Sequence, residues 1–426
     1  MKILVSDYSG HPFQVQLSRE LGALGHEVAH VFFAGFQTPK GDLKSRNDDP
    51  PGFSIHPITL NEAFDKQSFL KRRAQEIDVG KRIGKLIRTY EPDVVVSANA
   101  PLDAQRQIFR ASRQAKSAFV FWVQDLYSEG ITRILHKKFG FAGRQIGRHY
   151  QRMELKLLRL SDLIVAISAE FKDYIRDRGI STRVDVIENW APVNDFPPPE
   201  ERERKTGAPF RFLYAGTLGY KHDPRLLVSL ARETDAEVRV YSEGPGADYL
   251  REQGAQLPDG KLVVSNWVPF EDLPKTLVDA DALLAIIDAD AGHYSVPSKV
   301  LSYLCVGRPL LLAVPEHNLS ARIVLRENAG LVVSPGQNQE FVEKARWLMA
   351  NPEESARMGA NGRNYAERTF QIEHIAKRFE AAFQRARHPA RDQEITGRPA
   401  PGRLEASPAY QTSSGGHRTS TNRIRT

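Results

Sequence analysis

Residues 288–309 read DADAGHYSVPSKVLSYLCVGRP and stand between two apolar runs, at 281–287 and 310–314. Glycine, serine and proline occur in the first half, whereas the second half has apolar residues at helical spacing. Gly307 is the expected residue after the helix, and Pro309 prevents the helix from continuing. The pattern therefore predicts a strand, a loop, a short helix and a second strand, which is one βαβ unit of a parallel sheet.

The loop of this unit is a candidate site for a phosphate or diphosphate group. A loop that leaves the carboxyl end of a strand and opens a helix presents unpaired backbone N–H groups. Ser295, Ser298 and Lys299 stand beside those donors, and the start of a helix favours a negative charge. An ordinary βαβ connection with a capping serine has the same spacing, so the loop alone leaves both interpretations open.

Length and composition indicate a globular protein of two domains. The chain has 426 residues, of which 41% are hydrophobic and 26% are charged, and single hydrophobic cores rarely grow to this size. No apolar run approaches the ~20 residues that a membrane-spanning helix needs, and the N-terminus lacks the long apolar core of a signal peptide. Cys305 is the single cysteine, which excludes an internal disulfide and a cysteine-based zinc site. We expect a cytoplasmic protein.

Strand signals fall into two groups of six, separated by a segment rich in proline and charge. Helical segments alternate with the strands in both groups, and one long helix is predicted at 143–160. The predicted strands are 2–6, 28–33, 93–97, 118–123, 162–167 and 183–187 in the first group, and 210–214, 237–241, 262–265, 282–287, 310–314 and 330–333 in the second. Such alternation predicts an α/β fold with two Rossmann-like doubly wound domains that face each other across a cleft.

The same pattern sets the expected domain boundaries. They are an N-terminal domain at 1–195, a linker at 196–209, a C-terminal domain at 210–370, a last helix that packs back on the N-terminal domain at 371–387, and a disordered basic tail at 388–426. Ligands of doubly wound folds bind outside the carboxyl ends of the strands, so we expect the site in the cleft.

A second candidate anion loop follows the first strand of the C-terminal domain and reads GTLGYK, residues 216–221. It matches neither the dinucleotide-binding nor the P-loop fingerprint, and a tight turn with a solvated lysine has the same appearance. Lys221 and Lys299 both follow carboxyl ends of strands in one predicted sheet. They are therefore expected to converge on one diphosphate, together with backbone N–H groups at 216–217 and 295–298.

In the N-terminal domain, four residues after predicted strands are candidates for acceptor or donor contacts. Gly10 allows close backbone approach, and His11 follows it directly. Asp103 and Asp125 each follow a strand, where a carboxylate can steer a hydroxyl group or act as its base. A helix-capping aspartate or a surface histidine fits the same positions, so spacing alone does not decide.

Several other classes of function lack their sequence signals. The histidines and acidic residues show no spacing typical of a metal site, and the Gly-x-Ser-x-Gly turn of serine hydrolases is absent. Segments 66–90 and 131–160 are basic, with net charges of +6 and +7, but no nucleic-acid-binding motif accompanies them. We therefore expect no metal, no cofactor and no nucleic-acid partner.

The ordered chain, about residues 2–385, resembles a known enzyme family. The stretches that carry the resemblance are RELGALGHEV (19–28), WVQDLY (122–127), VAISAE (165–170), VIENW (186–190), YAGTLG (214–219), EGP (243–245) and VPSKVLSYLCVGRP (296–309). They are similar to the retaining, nucleotide-sugar-dependent glycosyltransferases of the glycogen-synthase-like family four, which have the GT-B fold. The match is best to the type that builds exopolysaccharide and colanic acid.

The resemblance implies transfer of a sugar, with retention and without a metal, from a nucleoside-diphosphate sugar to a hydroxyl of a saccharide or lipid-linked saccharide. The implied catalytic residues are Asp125, Lys221 and Lys299. The implied donor-binding residues are Gly10, Gly216, Thr217, Lys221, Glu243, Ser295, Val296, Pro297, Ser298, Lys299 and Ser302. The implied acceptor-binding residues are His11, Asp103 and Asp125.

Two departures from the family pattern concern the donor. The family commonly has two glutamates across the donor loop and helix, and their positions fall at Tyr294 and Ser302 here. Ser302 has a single hydroxyl where the family glutamate holds the ribose. The family arginine of the phosphate loop is Thr217 here, so Lys299 is the expected replacement cation. A nucleotide-sugar epimerase of the same fold and a non-catalytic sugar-nucleotide-binding homologue are the alternative functions.

The basic segments 66–90 and 131–160 also contain apolar residues. A basic and amphipathic surface favours anionic lipid headgroups, although a solvated basic face has the same composition. We therefore expect peripheral contact with the inner face of the cell membrane, where a lipid-diphosphate-linked acceptor would be reached.

Overall fold

A computed structural model describes residues 1–36, 41–65, 68–98, 100–197, 207–219 and 221–388 of the chain. These residues form two parallel sheets with helices on both faces, as the two groups of strand signals predicted. Residues 198–206 of the expected linker, the tail beyond 388 and Lys66 of the first basic segment lie outside the described residues.

The N-terminal sheet has seven strands in the order β3-β2-β1-β4-β5-β6-β7. The strands are β1 (Lys2–Asp7), β2 (Glu27–Phe33), β3 (Phe53–Ile58), β4 (Val94–Ala98), β5 (Ala118–Val123), β6 (Leu163–Ala166) and β7 (Val184–Val186). The helices are α1 (Pro12–Ala23), α2 (Phe69–Tyr90), α3 (Leu102–Gln114), α4 (Tyr127–Leu160) and α5 (Ala169–Asp177). Every neighbouring pair in this sheet is parallel.

The C-terminal sheet has six parallel strands in the order β10-β9-β8-β11-β12-β13. The strands are β8 (Arg211–Ala215), β9 (Glu237–Tyr241), β10 (Leu262–Ser265), β11 (Ala282–Ile286), β12 (Leu310–Ala313) and β13 (Gly330–Val333). The helices are α6 (Arg225–Glu233), α7 (Pro245–Gly254), α8 (Leu273–Val278), α9 (Lys299–Leu304), α10 (Leu319–Arg326), α11 (Asn338–Ala350), α12 (Pro352–Thr369) and α13 (Ile372–Arg387). All six C-terminal strands lie where the sequence pattern predicted them.

Successive residues of the central strands face two different hydrophobic cores. Leu283 and Ala285 of β11 belong to a core that continues into the N-terminal domain, whereas Leu284 and Ile286 belong to a core on the opposite face of the sheet. A strand buried on both faces is apolar throughout rather than alternating. This burial explains why residues 282–287 read as an uninterrupted apolar run.

The strand β3 was missing from the sequence prediction. It pairs with β2 at the edge of the sheet, and all but one of its residues are only partly buried. Its sequence, FSIHPI, contains Pro57 and few apolar residues. Proline is tolerated in an edge strand because its missing N–H would face solvent, and the weak apolar pattern hid the strand.

The helix α4 is longer than the predicted 143–160 and folds back on itself. Gly140 interrupts it with a φ angle of 52°. A Cβ atom on Gly143 would lie 1.9 Å from the carbonyl oxygen of Leu135, and one on Gly147 would lie 2.6 Å from Oγ1 of Thr132. The two arms, which meet at Gly140, therefore pack closely only because the second arm has glycine at both contact positions.

The last helix, α13, packs on the N-terminal sheet although it follows the C-terminal domain in the chain. The ring of Phe379 contacts Trp122 and Trp190, with centroids 4.7 and 6.1 Å apart. Glu380 binds Nε2 of His26 at 3.0 Å. The chain therefore crosses twice between the domains, once after β7 and once before α13.

Arg363 of α12 holds the first crossing in place. Its guanidinium is buried and donates to the carbonyl oxygens of Phe196, at 2.9 Å, and Cys305, at 2.6 Å. Phe196 ends the N-terminal domain, and Cys305 ends α9. One side chain therefore joins the crossing chain to the helix that carries Lys299.

Replacing Arg363 by Met should destabilise the fold, because two buried carbonyl groups would lose their donor. Each unsatisfied acceptor costs about 1–3 kcal/mol, so we expect a melting temperature lower by several degrees, measured by circular dichroism. Arg357→Met on the exposed face of the same helix is the control, since its partner is the surface residue Glu354. Equal melting temperatures for the two variants would contradict this role of Arg363.

Candidate active site between the two domains

A cavity of about 810 Å³ separates the carboxyl ends of the two sheets. Loops after β1, β4 and β5 line it on one side, and loops after β8, β9, β10 and β11 line it on the other side together with α9. The carboxyl ends of parallel strands meet at one edge of each sheet, which is where doubly wound proteins bind ligands. The cavity is therefore the candidate active site.

The loop after β8 passes closest to the cavity floor at Gly216. Gly216 has a φ angle of 129°, and a Cβ atom there would lie 3.1 Å from Nζ of Lys299. The Tyr303 hydroxyl binds the N–H and the carbonyl oxygen of Ala215, at 2.8 and 3.1 Å. These bonds hold α9 against the end of β8, and glycine is required because the lysine occupies the space of a side chain.

The ammonium group of Lys299 has an aromatic ring beside it instead of an anion. Its Nζ lies 3.5 Å from the centre of the Tyr214 ring, and it is inaccessible to solvent and lacks a hydrogen-bond partner among the described residues. Burial, and to a lesser extent the neighbouring charge of Lys221, lower the pKa of Lys299 well below its usual value. A cation–π contact alone compensates a buried charge only partly, so this group is suited to an incoming anion.

Lys221 of the C-terminal domain and Asp125 of the N-terminal domain meet at Ser295. Nζ of Lys221 donates to Oγ of Ser295 at 2.6 Å. The pKa of Asp125 is raised, because the effect of burial exceeds the lowering by Lys221 and by a hydrogen bond with Ser295. Asp125 follows β5 in the N-terminal domain, so these three residues connect the two walls of the site.

Tyr294 forms the other contact between the walls. Its carbonyl oxygen accepts a hydrogen bond from the N–H of Leu126 at 3.0 Å. Its ring packs so closely on Gly130 that a Cβ atom there would lie 3.3 Å away, and the guanidinium of Arg133 lies 5.6 Å from the ring centre. Tyr294 stands where the resembling family has a glutamate, and here it lines the cavity.

His222 is a neutral neighbour of the two lysines, and the sequence analysis did not select it. Burial lowers the pKa of His222 to about 2, with smaller contributions from Lys299 and Lys221. Its Nδ1 lies 3.1 Å from the backbone nitrogen of Gly219 and 3.3 Å from the carbonyl oxygen of the same residue. His222 lines the cavity as a neutral imidazole.

An apolar and aromatic recess forms the far end of the C-terminal wall. Tyr241 ends β9, and Trp267, Val268, Phe270 and Leu273 follow β10. The indole N–H of Trp267 is inaccessible and has no hydrogen-bond partner among the described residues. The sequence patterns did not predict this recess, because an aromatic residue in a loop has the same local pattern whether it is buried or exposed.

The loop after β1 presents His11 to the cavity but not Gly10. The N–H of Gly10 donates to Oδ1 of Asp7 at 2.9 Å, and its carbonyl oxygen accepts from Gly41 at 3.0 Å. His11 precedes α1 without a side-chain capping bond and stacks on Phe13 with ring centroids 5.5 Å apart. Burial lowers the pKa of His11 to about 4, so His11 is neutral at physiological pH.

Asp103 lies behind the cavity wall rather than on it. It is buried in the first turn of α3, where it accepts hydrogen bonds from Nε of Arg73 at 3.0 Å and from the Tyr150 hydroxyl at 2.7 Å. Both partners line the cavity. Asp103 therefore positions Arg73 and Tyr150.

The structure brings most of the predicted site residues to one cavity. Those on its wall are His11, Asp125, Gly216, Thr217, Lys221, Ser295, Val296, Pro297, Ser298, Lys299 and Ser302. Gly10, Asp103 and Glu243 are not among the lining residues.

Fewer backbone N–H groups are available to an anion in this loop than the sequence pattern suggested. The N–H of Gly216 donates to the carbonyl oxygen of Tyr241 at 2.9 Å, and that of Ser295 donates to Ala291 at 3.1 Å. The helix α9 has six residues, and the Ser298 side chain makes no capping bond. The two lysines are therefore the main donors toward a ligand on this wall.

Among the residues that the structure describes, no three His, Cys, Asp or Glu side chains are grouped so that they could hold a metal ion. In the same part of the chain, no helix combines the length and hydropathy that crossing a bilayer requires.

Comparison with known proteins relates both halves of the chain to glycosyltransferases. The model of Glycosyltransferase Family 4 matches residues 13–194, and a glycosyl transferase-like model matches residues 221–381. The D-rhamnosyltransferase WbpZ of Pseudomonas aeruginosa is 26% identical over 219 residues, which are 50% of this chain and 56% of the relative. The match therefore spans about half of the length of that curated relative.

Solved structures of several enzymes share the fold. Sucrose-phosphate synthase from Thermosynechococcus elongatus has a TM-score of 0.67 at 16% identity, over 90% of this chain and 98% of that one. HepE of Anabaena, in complex with UDP-glucose, has a TM-score of 0.64 at 16% identity, over 90% and 99%. The trehalose-phosphate synthase of Burkholderia vietnamiensis has a TM-score of 0.60 at 12% identity, over 90% and 99%. At these identities the likeness concerns the fold.

Inorganic diphosphate should raise the melting temperature of the protein, because the Lys299 ammonium would gain the anion that it lacks. We expect a much smaller shift for Lys299→Met, measured by differential scanning fluorimetry over a series of diphosphate concentrations. Lys377→Met, which removes an exposed lysine of α13, is the control and should keep the wild-type shift. A full shift in Lys299→Met would show that the anion binds elsewhere.

Proposed function

We propose that this chain, whose two halves match glycosyltransferase family models, transfers a sugar from a nucleoside-diphosphate sugar to a hydroxyl of a saccharide or lipid-linked saccharide, with retention. The observation that carries the proposal is the inaccessible ammonium group of Lys299, which stands without an anion at the carboxyl end of the C-terminal sheet. Lys221 lies on the same wall and provides a second cation for a diphosphate.

The donor would lie along the C-terminal wall. Its diphosphate would contact Lys299 and Lys221, with the neutral His222 as a further donor. Its base would enter the recess of Tyr241 and Trp267, where stacking on an aromatic ring and a free indole N–H favour a flat polar ring. HepE, which shares the fold, is described in complex with UDP and with UDP-glucose, and this supports a nucleotide at the corresponding face.

The two lysines would promote transfer through the leaving group. Transfer breaks the bond between C1 of the sugar and the oxygen of the distal phosphate, and it forms a bond from C1 to the acceptor oxygen. Negative charge then develops on the released nucleoside diphosphate, and preoriented cations stabilise it. The proton of the acceptor hydroxyl leaves to the released diphosphate or through Asp125.

Asp125 is placed to orient the acceptor. It stands on the N-terminal wall, opposite Lys221, and its raised pKa brings it nearer to the pH at which a carboxylate exchanges protons efficiently. Ser302 also lines the cavity, but a single hydroxyl holds a ribose less firmly than a carboxylate. We therefore expect the aromatic recess to carry more of the nucleoside recognition here.

The test begins with a thermal-shift screen of nucleoside diphosphates and their sugars. The stabilising sugar nucleotide, labelled in its sugar, is then incubated with lipid extract from the source cells. Labelled lipid or saccharide supports the transferase. Free or epimerised sugar formed without an acceptor would support the epimerase, and binding without any product would support a non-catalytic homologue.

Asp125→Asn should lower turnover by roughly 10²-fold or more, since general-base and orienting contributions have this size. The dissociation constant for the nucleoside diphosphate should stay near the wild-type value, because Lys221 and Lys299 remain. Asp177→Asn, at the exposed end of α5, is the control. Unchanged turnover in Asp125→Asn would remove this residue from the reaction.

Affinity for the nucleoside diphosphate should fall as pH rises. Burial lowers the pKa of Lys299 in the free protein, and a bound diphosphate favours the ammonium form and raises that pKa again. Between the two pKa values, binding takes up a proton, so raising the pH opposes binding. Calorimetry in buffers of different ionisation enthalpy measures the uptake. We expect a clearly smaller uptake in Lys299→Met, and an unchanged uptake would contradict the assignment.

A further inference from the structure

The same cavity has a second pair of cations on its opposite wall. Arg72 and Arg73, in the first turn of α2, both line the N-terminal side. Arg72 donates through Nε to Glu76 at 2.8 Å, and Arg73 donates through Nε to Asp103 at 3.0 Å. Each guanidinium is therefore held in position by a buried carboxylate. Because guanidinium has five N–H donors, each arginine still has N–H groups for an anionic ligand.

Apolar side chains surround these arginines in this part of the cavity. The lining residues of this kind are Phe36, Phe69, Leu102, Ile131, Ile134 and Leu135. They come from the starts of α2, α3 and α4 and from the start of the loop after β2. A sugar needs hydroxyl-binding groups around it, whereas this wall fits a hydrocarbon chain beside an anionic group.

The apolar wall continues onto the outside of the protein. Phe69 and Ile134 line the cavity and are also 44% and 50% exposed. Next to them, Leu70, Phe139 and Phe141 are more than half exposed. Seven of the ten exposed large hydrophobic residues within the described ranges lie at the start of α2 or on the two arms of α4. Apolar surface concentrated in this way marks an interaction site.

Basic side chains surround this exposed apolar surface. Exposed cations on α4 include Arg133, Lys137, Lys138, Arg144 and Arg148, and residues 131–153 contain no aspartate or glutamate. Apolar side chains flanked by cations are complementary to an anionic lipid surface, which accepts both. The bend at Gly140 places Phe139 and Phe141 at the tip of the helical hairpin.

We propose that the acceptor is an amphiphile, a saccharide joined through a phosphate or diphosphate to a long hydrocarbon chain, and that it enters from an anionic membrane along this surface. Its phosphate lies at Arg72 and Arg73, its chain leaves the cavity between Phe69 and Ile134, and its sugar hydroxyl reaches Asp125. The proposal rests on the proposed transferase function and specifies its acceptor. The two cationic pairs then hold the two substrates on opposite walls.

Binding of a prenyl diphosphate tests the acceptor site. Farnesyl diphosphate, farnesol and inorganic diphosphate are titrated into the full chain in the calorimeter. We expect farnesyl diphosphate to bind most tightly, and R72Q/R73Q to weaken it by roughly 10-fold or more through loss of charge-assisted hydrogen bonds. Ile134→Ser should weaken farnesyl diphosphate but not inorganic diphosphate, and it leaves the ion pairs of the arginines in place. Equal binding of farnesyl and inorganic diphosphate by the wild type would overturn the proposal.

Nucleotide binding distinguishes failure of the lipid-acceptor proposal from failure of the proposed transferase function. Lys299→Met should lose the thermal shift by the nucleoside diphosphate and keep binding of farnesyl diphosphate, and R72Q/R73Q should show the reverse. If the wild type shows the thermal shift with the nucleoside diphosphate but does not bind farnesyl diphosphate, the lipid acceptor is refuted and the transferase proposal is not. Loss of the nucleotide shift in wild type would refute the transferase itself.

Vesicle flotation tests the membrane surface. The protein should float with phosphatidylglycerol vesicles and stay in solution with phosphatidylcholine vesicles, and high salt should reduce flotation because it screens the charges. F139S/F141S should lose flotation. The control L325S/W347S removes two exposed apolar residues of the C-terminal domain and should float as the wild type does. No flotation of the wild type, or equal loss in both double variants, would overturn membrane docking.

Discussion

The site is organised around a buried ammonium group without an anion. Lys299 lies over the ring of Tyr214 and against Gly216, which has no side chain to displace it. Tyr303 ties the helix of this lysine to the end of β8. The neighbouring histidine, His222, is neutral mainly because burial lowers its pKa, and the charges of Lys299 and Lys221 lower it further. The local structure thus holds the Lys299 ammonium group where water does not reach it. For this reason the cavity wall is suited to a diphosphate.

The two walls of the cavity differ in the kinds of side chain that they present. The C-terminal wall combines lysines with an aromatic recess, whereas the N-terminal wall combines arginines with aliphatic residues. Asp125 and Ser295 meet between them, and Tyr294 joins the walls through the backbone of Leu126. At the position of the family glutamate, this chain therefore has a contact between domains.

Sequence patterns predicted the two sheets because parallel strands buried on both faces read as long apolar runs. They missed β3, which is a partly exposed edge strand with a proline, and the first arm of α4, which is separated from the predicted arm by the bend at Gly140. The lysines and Asp125 were found because they follow strand ends. Trp267 and His222 were missed because nothing local distinguishes an aromatic or a histidine in a loop from one on the surface.

The sequence by itself determined the two α/β domains, the glycine at position 216 and the cations at the strand ends, since each depends on neighbours a few residues away. Only the tertiary structure decided which groups meet. Lys221 and Ser295 are 74 residues apart, and Arg73 and Asp103 are 30 apart. Their pairing depends on how the strands are ordered in the sheets and how the two domains pack. That packing buries Lys299 away from any carboxylate of the described chain and places Asp103 behind the cavity wall, where it supports an arginine.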